Sequence, residues 1–530
     1  MATRGCSSQN RISSCVEQAS IEQPSVEQPS VEQWNACRSG LWFLLCIFWV
    51  PWFSGEVEGQ NLDNVRFLPM GGMRGGTVSI ELPGKYEKWP VEFWGEPGQI
   101  RWVATEVPGK ISASIPADAK LGVHWVRLIS PDGVSALQRF VVGQEPEVLE
   151  VEPNDGTSSS QVIEGLPVCI NGVLVKSGDV DHYRVALMPG QLLRATLDAQ
   201  RVLGSPMDGC LELVDERGNV LAQNLDTLGL DPRIEYRVER QGVYGLRVYA
   251  FPEAPDSTIG YAGGEKYQYR LRCGVDGKDD LLEGFSEGAV AIQEPSGRGE
   301  PSQVVNSGGP EFAFWGSFEA ARDEDFLQWE TKEAGFWRVT AKGLSLGSGV
   351  EPVIEILDGE GKTLGKQGES GEINDPSLVG QMKQPGVYRI GVRDLHGRFG
   401  PQYRYRLELV REQAVVVGTV ANDVLVGKSD KPLEIEVTLE RMHGCVEEAT
   451  VRLVGLPASL VSDPVVSKMK EESEKKVVLK VVGSSGEPAT GAIQWSGPVG
   501  IEIQTSGREE RQTVRAATTK KPWLWLRLTP

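Results

Sequence analysis

The sequence contains few of the residues on which hydrolytic centres are built. Its four histidines include no pair spaced for zinc, and it has no His-Glu-x-x-His segment and no Cys-x-x-Cys pair. We recognise no combination of a histidine, an aspartate and a nucleophilic serine of the kind that serine hydrolases carry. We therefore expect no serine-, cysteine- or metallo-hydrolase activity, and we predict that the protein is not an enzyme.

Positive charge is also in short supply. Lysine and arginine number 54 against 73 aspartates and glutamates, which gives a formal net charge of −19. Such a balance repels phosphate backbones and concentrates divalent cations near acidic loops. Nucleic acid is therefore excluded as an expected partner.

No apolar run in the sequence is comfortably long enough to span a membrane. The run Leu41–Val50 follows Arg38 and precedes Ser54-Gly55, which is typical of a signal sequence. Residues 38–60 are therefore predicted to be a signal peptide or, alternatively, an uncleaved signal anchor, which would be the only membrane attachment. Residues 1–37 are polar, carry proline-punctuated pentads and are predicted to be disordered. We expect export to the periplasm, cell surface or exterior.

Glycine and proline are abundant and lie between short alternating apolar runs. The 62 glycines and 32 prolines recur along the chain and argue against long helices. The pattern predicts an all-β protein built from tandem β-sandwich or jelly-roll domains. Residues 61–146 form the first predicted sandwich and residues 412–507 the last, both loosely similar to immunoglobulin-like modules, with 508–530 as a tail that either packs on the last domain or docks on a membrane.

The middle of the chain contains a duplication. Asp179 aligns with Asp323 and Val243 with Val387 at the same separation, and other matching segments keep their order and spacing. The matching segments are Leu203–Ser205 with Leu346–Ser348, Leu211–Gly218 with Ile354–Gly361, and Tyr267–Leu271 with Tyr403–Leu407. We expect two sandwiches of similar fold, residues 147–278 and 290–411, each with an Asp-x-x-Gly hairpin turn.

These two copies resemble the bacterial pre-peptidase C-terminal (PPC) domain, a β-sandwich found in many exported proteins. The motifs that carry the resemblance are Glu152–Asp155, Gly178–Tyr183, the Asp215 turn and Gly242–Tyr244. The first copy is also similar to the related collagen-binding module of bacterial collagenases, in which an acidic run and a downstream aspartate hold calcium. By that resemblance the ligands here are Glu150, Glu152, Asn154, Asp155 and Asp181, with Asp179 as the second choice.

The residues themselves also suit calcium. The ion prefers about six to eight hard oxygen ligands in flexible geometry, and an acidic run followed by a second acidic loop supplies such ligands. The alternative is an ordinary acidic linker that ends in a turn at Asn154-Asp155-Gly156. The second copy has no Asn-Asp pair upstream of Asp323 and Asp325 and is expected to lack the full site.

The cysteines and aromatic residues leave two further questions open. Cys169, Cys210 and Cys273 lie in apolar strand patterns, which favours buried thiols, although a Cys169–Cys273 disulfide is the alternative. Aromatic residues cluster in the first domain, where either core packing or an exposed sugar or peptide platform would account for them. They are Trp89, Phe93, Trp94, Trp102 and Trp125.

Together these features predict a non-catalytic binding or structural protein of the bacterial envelope or exterior. Its expected partner is an extracellular polymer or protein, and calcium is its expected cofactor. The alternative is an accessory part or remnant of a secreted peptidase system that lacks its catalytic domain.

Overall fold

Short β-strands make up almost the whole of the described chain. The computed structural model describes residues 62–529, apart from 63–64, 87, 96–98, 132, 253–259, 276–285, 287, 293–300, 307–310, 370–374, 429–430 and 485–493. The helical elements with described bounds are α1 (Gln200–Leu203) and two 3-10 turns, Leu344–Leu346 and Glu472–Glu474. The all-β prediction is confirmed. The predicted disordered segment 1–37 and signal segment 38–60 lie outside the described residues, and within the described part no helix is long and apolar enough to cross a bilayer.

The first sandwich is built from eight strands. They are β1 (Gly71–Met73), β2 (Thr77–Glu81), β3 (Glu92–Gly95), β4 (Arg101–Ala104), β5 (Lys110–Ser114), β6 (Gly122–Ser130), β7 (Gly133–Val134) and β8 (Gln138–Gly143). One sheet has the order β1-β8-β6-β3, with β7 paired to β6, and the other has the order β2-β5-β4. Alternate residues of these strands, such as Ile111 and Ala113 in β5, are fully buried between the sheets.

The two central copies, called the first and second repeats below, contain ten described strands each. The first repeat has β9 (Glu147–Leu149), β10 (Gln161–Ile163), β11 (Val168–Val173), β12 (Asp181–Leu187), β13 (Leu192–Asp198), β14 (Asp208–Val214), β15 (Val220–Asn224), β16 (Arg233–Arg237), β17 (Gly242–Phe251) and β18 (Gln268–Val275). The second repeat has β19 (Val290–Ala291), β20 (Ser302–Asn306), β21 (Glu311–Ser317), β22 (Glu324–Thr331), β23 (Gly335–Lys342), β24 (Pro352–Leu357), β25 (Thr363–Gln367), β26 (Ser377–Met382), β27 (Gly386–Asp394) and β28 (Arg404–Glu412).

The repeats share one topology. The first has sheets β10-β12-β17-β14-β15 and β16-β13-β18-β11-β9, and the second has β20-β22-β27-β24-β25 and β19-β21-β28-β23-β26. Each described strand of the first repeat therefore has a counterpart ten strands later, in the equivalent sheet position. This agreement is what a duplicated domain requires.

Equivalent turns are closed by the same contacts in both repeats. The Oδ1 atom of Asp215 accepts the backbone N–H groups of Arg217 and Asn219, each at 2.9 Å. The Oδ1 atom of Asp358 likewise accepts those of Glu360 at 3.0 Å and Lys362 at 2.9 Å. In each turn the glycine three residues after the aspartate has φ 83°, a conformation that glycine adopts without a steric penalty. The Asp-x-x-Gly segments thus form the hairpin turns that the sequence predicts.

The last sandwich extends further than the sequence suggests. Its strands are β29 (Val416–Val420), β30 (Val424–Lys428), β31 (Leu433–Arg441), β32 (Ala449–Val454), β33 (Leu460–Val461), β34 (Val465–Ser467), β35 (Lys476–Gly483), β36 (Trp495–Thr505), β37 (Arg511–Thr513), β38 (Arg515–Ala516) and β39 (Leu524–Thr529). The sheets are β33-β35-β31-β29-β38 and β30-β39-β36-β32-β34, with β37 paired to β36. The domain boundary predicted at residue 507 is therefore wrong. Strand β39 lies inside a sheet, between β30 and β36, and buries Leu524, Leu526 and Leu528.

Each of the four sandwiches has its own hydrophobic core. The four clusters of buried apolar residues fall within 62–142, 168–273, 314–409 and 416–528, and none combines residues from two sandwiches. A closed core in each unit is what allows tandem modules to fold separately. The contacts between modules described below are polar or aromatic.

The first sandwich packs on the first repeat through buried polar groups. The backbone N–H of Met70 donates to Oδ1 of Asn171 at 3.0 Å, and Nδ2 of Asn171 donates to Oε2 of Glu147 at 2.8 Å. Glu147 also forms an ion pair with Arg270, whose side chain is 1% exposed. Because Glu147 opens β9, this network connects the first sandwich to the strand that leads into the acidic segment.

The first and last sandwiches also touch. Arg127, which is fully buried, pairs with Asp423 of the last sandwich. The Trp94 ring meets those of Trp523 and Trp525, each at 6.3 Å between centroids. Of the five predicted aromatic residues, Trp94 therefore lies at an interface between sandwiches rather than in a core.

The remaining aromatic residues divide between these two environments. The Trp125 ring makes a cation–π contact with Lys521 of the last sandwich, whose ammonium lies 5.0 Å from the ring centroid. Trp89, Phe93 and Trp102 pack, partly buried, on the core of the first sandwich.

The described cysteines are buried free thiols. In the antiparallel β11–β18 pair, Cys169 lies opposite Arg272 and Cys273 opposite Val168. Residues directly opposite each other share a face, so the two sulfur atoms point to opposite sides of the sheet. The buried-thiol prediction is confirmed, and the alternative Cys169–Cys273 disulfide is not formed.

Candidate metal centre

The six predicted ligands lie on two segments of the first repeat that contact each other. The segment Glu150–Asp155 connects β9 to β10, while Asp179 and Asp181 lie just before and at the start of β12. Two contacts hold this segment against the neighbouring strands. Oε1 of Glu150 accepts the N–H of Val173 at 2.8 Å, and the carbonyl oxygen of Asn154 accepts the N–H of His182 at 3.1 Å.

Glu152, Asp155 and Asp179 form the outer part of the site. One carboxylate oxygen from each lies within 4.8 Å of those of the other two. Within the described part of the chain this is the one group of three or more His, Cys, Asp or Glu side chains close enough to hold one ion. Glu152 and Asp155 are exposed and Asp179 is buried. The ion would therefore be held at the surface, with one ligand reaching it from the interior.

Local hydrogen bonds position the outer carboxylates. Oε2 of Glu152 accepts the N–H of Asn154 at 2.8 Å, and Oδ2 of Asp179 accepts the N–H of Val175 at 2.6 Å. These bonds use one oxygen of each carboxylate and leave the other for a ligand. Of Asp179 and Asp181, it is Asp179 rather than the preferred Asp181 that joins the outer group.

Glu150 and Asp181 form a more buried inner part with two tyrosines. The Tyr269 hydroxyl donates to Oδ2 of Asp181, lies 3.4 Å from Oε2 of Glu150 and shares a hydrogen bond of 2.5 Å with the Tyr183 hydroxyl. Gly172 is required beside this group because a Cβ there would lie 2.3 Å from the Tyr269 hydroxyl oxygen. The tyrosines were not among the predicted site residues, although the repeated Tyr-x-Tyr-Arg-Leu segment contains Tyr269 and was a usable signal.

Several buried oxygen atoms of the site have no hydrogen-bond partner. They are Oδ1 of Asp179, Oδ1 of Asp181 and, with Nδ2 of the same amide, Oδ1 of Asn154. All three residues are 0% exposed. Leaving a buried polar atom unpaired costs about 1–3 kcal/mol, and more for a charged group, so native structures rarely tolerate three in one place. Unpaired oxygens beside an acidic cluster are what a cation site presents.

Burial raises the pKa values of three of the site carboxyls, those of Glu150, Asp179 and Asp181. Burial, followed by the charge of Asp181, raises the pKa of Glu150 to about 9. Burial raises the pKa of Asp181 to about 7, although the Tyr269 hydrogen bond opposes the shift. Burial, followed by the close approach of the Asp155 side chain, raises the pKa of Asp179, while the approach of Asp179 lowers the pKa of Asp155. The folded site therefore needs bound protons or a bound cation to offset its crowded negative charge.

The residues present fit a hard cation. The donors are carboxylate oxygens and one amide oxygen, without histidine or cysteine among them, which is the ligand chemistry of calcium rather than of zinc or copper. The adjacent Lys176, 3.5 Å from Oδ2 of Asp155, is well exposed and compensates only the rim of the cluster.

The second repeat keeps part of this framework. Oδ2 of Asp323 accepts the N–H of Glu319 at 2.8 Å, as Asp179 does from Val175, and the Tyr405 hydroxyl donates to Asp325, as Tyr269 does to Asp181. The two aspartates therefore have a structural role that does not depend on an ion. The segment equivalent to the acidic run, with Glu294 and Glu300, lies outside the described residues.

The four histidines lie in four different sandwiches. His124 is in the first sandwich, His182 in the first repeat, His396 in the second repeat and His443 in the last sandwich. His396 and His443 each contact a glutamate, at 3.3 and 3.2 Å. No two of them share a site.

Comparisons with known proteins do not identify the chain. No family model and no curated protein matches it. One similar solved structure is the SGBP-B protein of a Bacteroides ovatus mixed-linkage glucan utilization locus, bound to a heptasaccharide, at 8% identity over 64% of this chain and 73% of that one, with a TM-score of 0.14. Others are an M60 catalytic domain with two CBM51 domains from Clostridium perfringens (10% identity, 66% and 54% coverage, TM-score 0.14) and an Escherichia coli alpha-2-macroglobulin (10%, 84% and 31%, 0.14). Similarity at this level supports no conclusion about this chain.

Proposed function

We propose that this chain is an exported, non-catalytic binding protein whose first repeat is stabilised by calcium. The observation that carries the calcium assignment is the set of unpartnered buried oxygens on Asn154, Asp179 and Asp181 beside the acidic cluster. Export is a prediction from residues 38–60. The non-catalytic assignment is a prediction from the sequence.

Glu152, Asn154, Asp155 and Asp179 would hold the ion, with Glu150 and Asp181 as the inner carboxylates. Calcium supplies charge compensation and a link between the connecting segment and the start of β12. The protein's own residues prepare this link, because Val173 and Val175 fix Glu150 and Asp179 through their backbone N–H groups. An ordered segment here also fixes β9, and through Glu147 and Asn171 it steadies the first repeat against the first sandwich.

The resemblance to PPC domains is part of the same proposal. The shared ten-strand order and the repeated Asp–backbone and Asp–Tyr contacts support two related sandwiches of which one carries the ion. In such an arrangement the sandwich surfaces hold an extracellular polymer or protein partner while calcium stiffens the junction before the first repeat.

Titration calorimetry and differential scanning calorimetry test the calcium assignment. The full chain, first stripped with a chelator, should release or absorb heat with a stoichiometry of at least one calcium per chain. Its first-repeat transition should move to higher temperature in calcium and not in magnesium, which demands a more rigid octahedral site. Unchanged melting together with no heat of binding would remove the ion from the proposal.

A panel of peptide and glycan substrates tests the non-catalytic assignment. No turnover above buffer is expected. Turnover that a single carboxylate-to-amide substitution abolishes would overturn it.

A further inference from the structure

The second repeat has an outer sheet face whose counterpart in the first repeat is a docking surface. In the first repeat, Asn171, Arg270 and Asp198 lie side by side across β11, β18 and β13. All three side chains are at most 3% exposed. Oδ1 of Asn171 accepts the backbone N–H of Met70 from the first sandwich at 3.0 Å. The Arg270 guanidinium lies against Gly71 of that sandwich, where an added Cβ would come within 2.8 Å of Nε. The first sandwich therefore docks on this row.

The equivalent row of the second repeat is partly exposed. Strand register places Trp315, Arg406 and Lys342 side by side across β21, β28 and β23, in the positions that the docking row has in the first repeat. The neighbouring Phe314 is in the core, so Trp315 faces outward. Trp315 is half-buried, and the side chains of Arg406 and Lys342 are 13% and 34% exposed. The duplication has therefore kept the face and left it accessible.

The side chains of this row do not suit the partner that the first repeat binds. Trp315 has no oxygen that could accept a backbone N–H, as Asn171 does from Met70. Lys342 places an ammonium where the first repeat has the carboxylate of Asp198. The first sandwich of a second copy would lose its hydrogen bond here, so the row requires a different partner.

Hydrogen-bond donors and acceptors lie beside the indole ring. Oε1 of Glu408 accepts Nε of Arg406 at 3.0 Å, and the Lys342 ammonium pairs with the same carboxylate at 2.7 Å. In the next row, the hydroxyls of Thr340 and Ser377 lie 3.0 Å apart. An ammonium carries several N–H groups and a carboxylate several lone pairs, so these contacts leave hydrogen-bonding capacity for a ligand.

The charge of this face favours a neutral ligand. The chain has a formal net charge of −19, which repels polyanions. On the face itself, Arg406 and Lys342 share one carboxylate, so a cationic ligand would meet positive charge. An aromatic ring flanked by N–H donors, carboxylate oxygens and hydroxyls matches the apolar C–H face and the hydroxyl groups of a pyranose ring.

The row also has the dimensions of a short stretch of glycan. Trp315 and Lys342 lie on strands separated by β28, so their backbones are about 10 Å apart, twice the spacing of neighbouring strands. This is about the length of a disaccharide. One sugar ring can therefore stack on Trp315 while the next reaches Lys342 and Glu408.

We infer that the outer face of the β21, β28 and β23 strands in the second repeat binds a neutral glycan chain, with Trp315 as its stacking platform. The inference rests on the proposed binding role and names the class of polymer. It also explains why the two repeats differ on this face, because one face docks the first sandwich and the other holds the ligand.

Isothermal titration calorimetry of the full chain with cellohexaose, xylohexaose and mannohexaose tests the inference. At least one of these neutral hexasaccharides should bind. Trp315→Ala should weaken that binding about tenfold or more, because a stacked ring and its buried area are lost. Trp315→Phe keeps a smaller ring and should weaken it less than about threefold. Lys342→Met should weaken it about fivefold through the loss of one charge-assisted hydrogen bond.

Two control variants make the same chemical changes elsewhere. Lys480→Met removes an ammonium that pairs with Glu434 across two strands of the last sandwich at 2.9 Å, as Lys342 does with its carboxylate. Phe399→Ala removes an aromatic ring of the second repeat that is 50% exposed. Both should change the affinity less than about twofold.

Three outcomes would overturn the inference. Equal weakening by Trp315→Ala and Phe399→Ala would mean that the sugar stacks on any exposed ring. Tighter binding of hexagalacturonate than of the neutral hexasaccharides would reassign the face to an anionic polymer. Undiminished binding by Trp315→Ala would keep the proposed binding role but move the site, whereas no binding of any hexasaccharide would remove the glycan altogether. Titration in chelator separates this face from the calcium site, because glycan binding should persist there.

Discussion

Exchanging one oxygen for a nitrogen at Asp179 should separate the role of the ion from the role of the fold. Asp179→Asn keeps an oxygen that can accept the N–H of Val175 but removes the buried charge from the acidic cluster. The second repeat provides an internal control, because Asp323 accepts the N–H of Glu319 in the equivalent position. Asp323→Asn therefore makes the same chemical change where the described structure contains no acidic cluster.

The two variants should differ by the free energy of calcium binding. A ligand present at about 100 times its Kd stabilises the folded state by about 2.7 kcal/mol. For a domain of the size of the first repeat, that free energy corresponds to a rise of roughly 10 °C in the melting temperature. Asp179→Asn should abolish this rise. In both variants the hydrogen bond from the backbone N–H should also weaken by about 1 kcal/mol, because a neutral amide oxygen is a weaker acceptor than a carboxylate.

Differential scanning calorimetry of both variants, in saturating calcium and in chelator, measures the difference. In chelator Asp179→Asn should melt no lower than Asp323→Asn, because it relieves crowding of like charges. In calcium only Asp323→Asn should retain the upward shift of the first-repeat transition. If the two variants respond equally to calcium, the ion is not bound at Asp179 and the reasoning from the unpartnered oxygens is refuted.

Three further predictions follow from the structure. The folded pKa values of Glu150 and Asp181 are raised to about 9 and about 7, so the folded state binds protons at these carboxyls more tightly than the unfolded state does. The stability gained from these bound protons is fully present below the unfolded pKa values and is lost as the pH rises towards 9. The melting temperature in chelator should therefore fall between pH 5 and about pH 9, and calcium should abolish this fall. A melting temperature that rises with pH in chelator would contradict the raised pKa values. Cys169, with a pKa raised to about 12 by burial, and Cys273 should resist alkylation until the chain is unfolded, as followed by mass spectrometry, and a reductant should leave the melting temperature unchanged. Deletion of Leu524–Thr529 removes three buried leucines worth about 1.5–3 kcal/mol each, so limited proteolysis should cut the last sandwich while sparing the repeats; a resistant last sandwich would contradict the placement of this strand in its core.

Local patterns were sufficient to predict the duplication and its turns. Asp215 and Asp358 close their hairpins with hydrogen bonds to residues two and four positions later, so the chemistry that shapes each turn is written within it. The left-handed glycines that end the short helical turns, Gly204 and Gly347, occur at matching places for the same reason. The all-β class followed from this punctuation and from the alternation of apolar residues.

Features that depend on residues far apart in the chain could not be predicted from the sequence. The run Leu524–Thr529 looks like an aromatic tail, and only its pairing with β30 and β36 makes it a core strand. Register alone decides that Cys169 and Cys273 lie on opposite faces of a sheet. Trp94 owes its interface position to Trp523 and Trp525, which lie more than 400 residues further along the chain.

The acidic segment shows the same division within one site. The sequence by itself determined the donors, because the oxygen-rich side chains of Glu150–Asp155, Asp179 and Asp181 restrict the candidate ligands to a hard cation or to protons. Only the tertiary structure decided which of them meet, since the approach of Asp179 to Glu152 and Asp155 and the capture of Asp181 by Tyr269 depend on strand pairing. Burial, which no local pattern encodes, then left oxygens without partners and turned an acidic linker into a candidate calcium site.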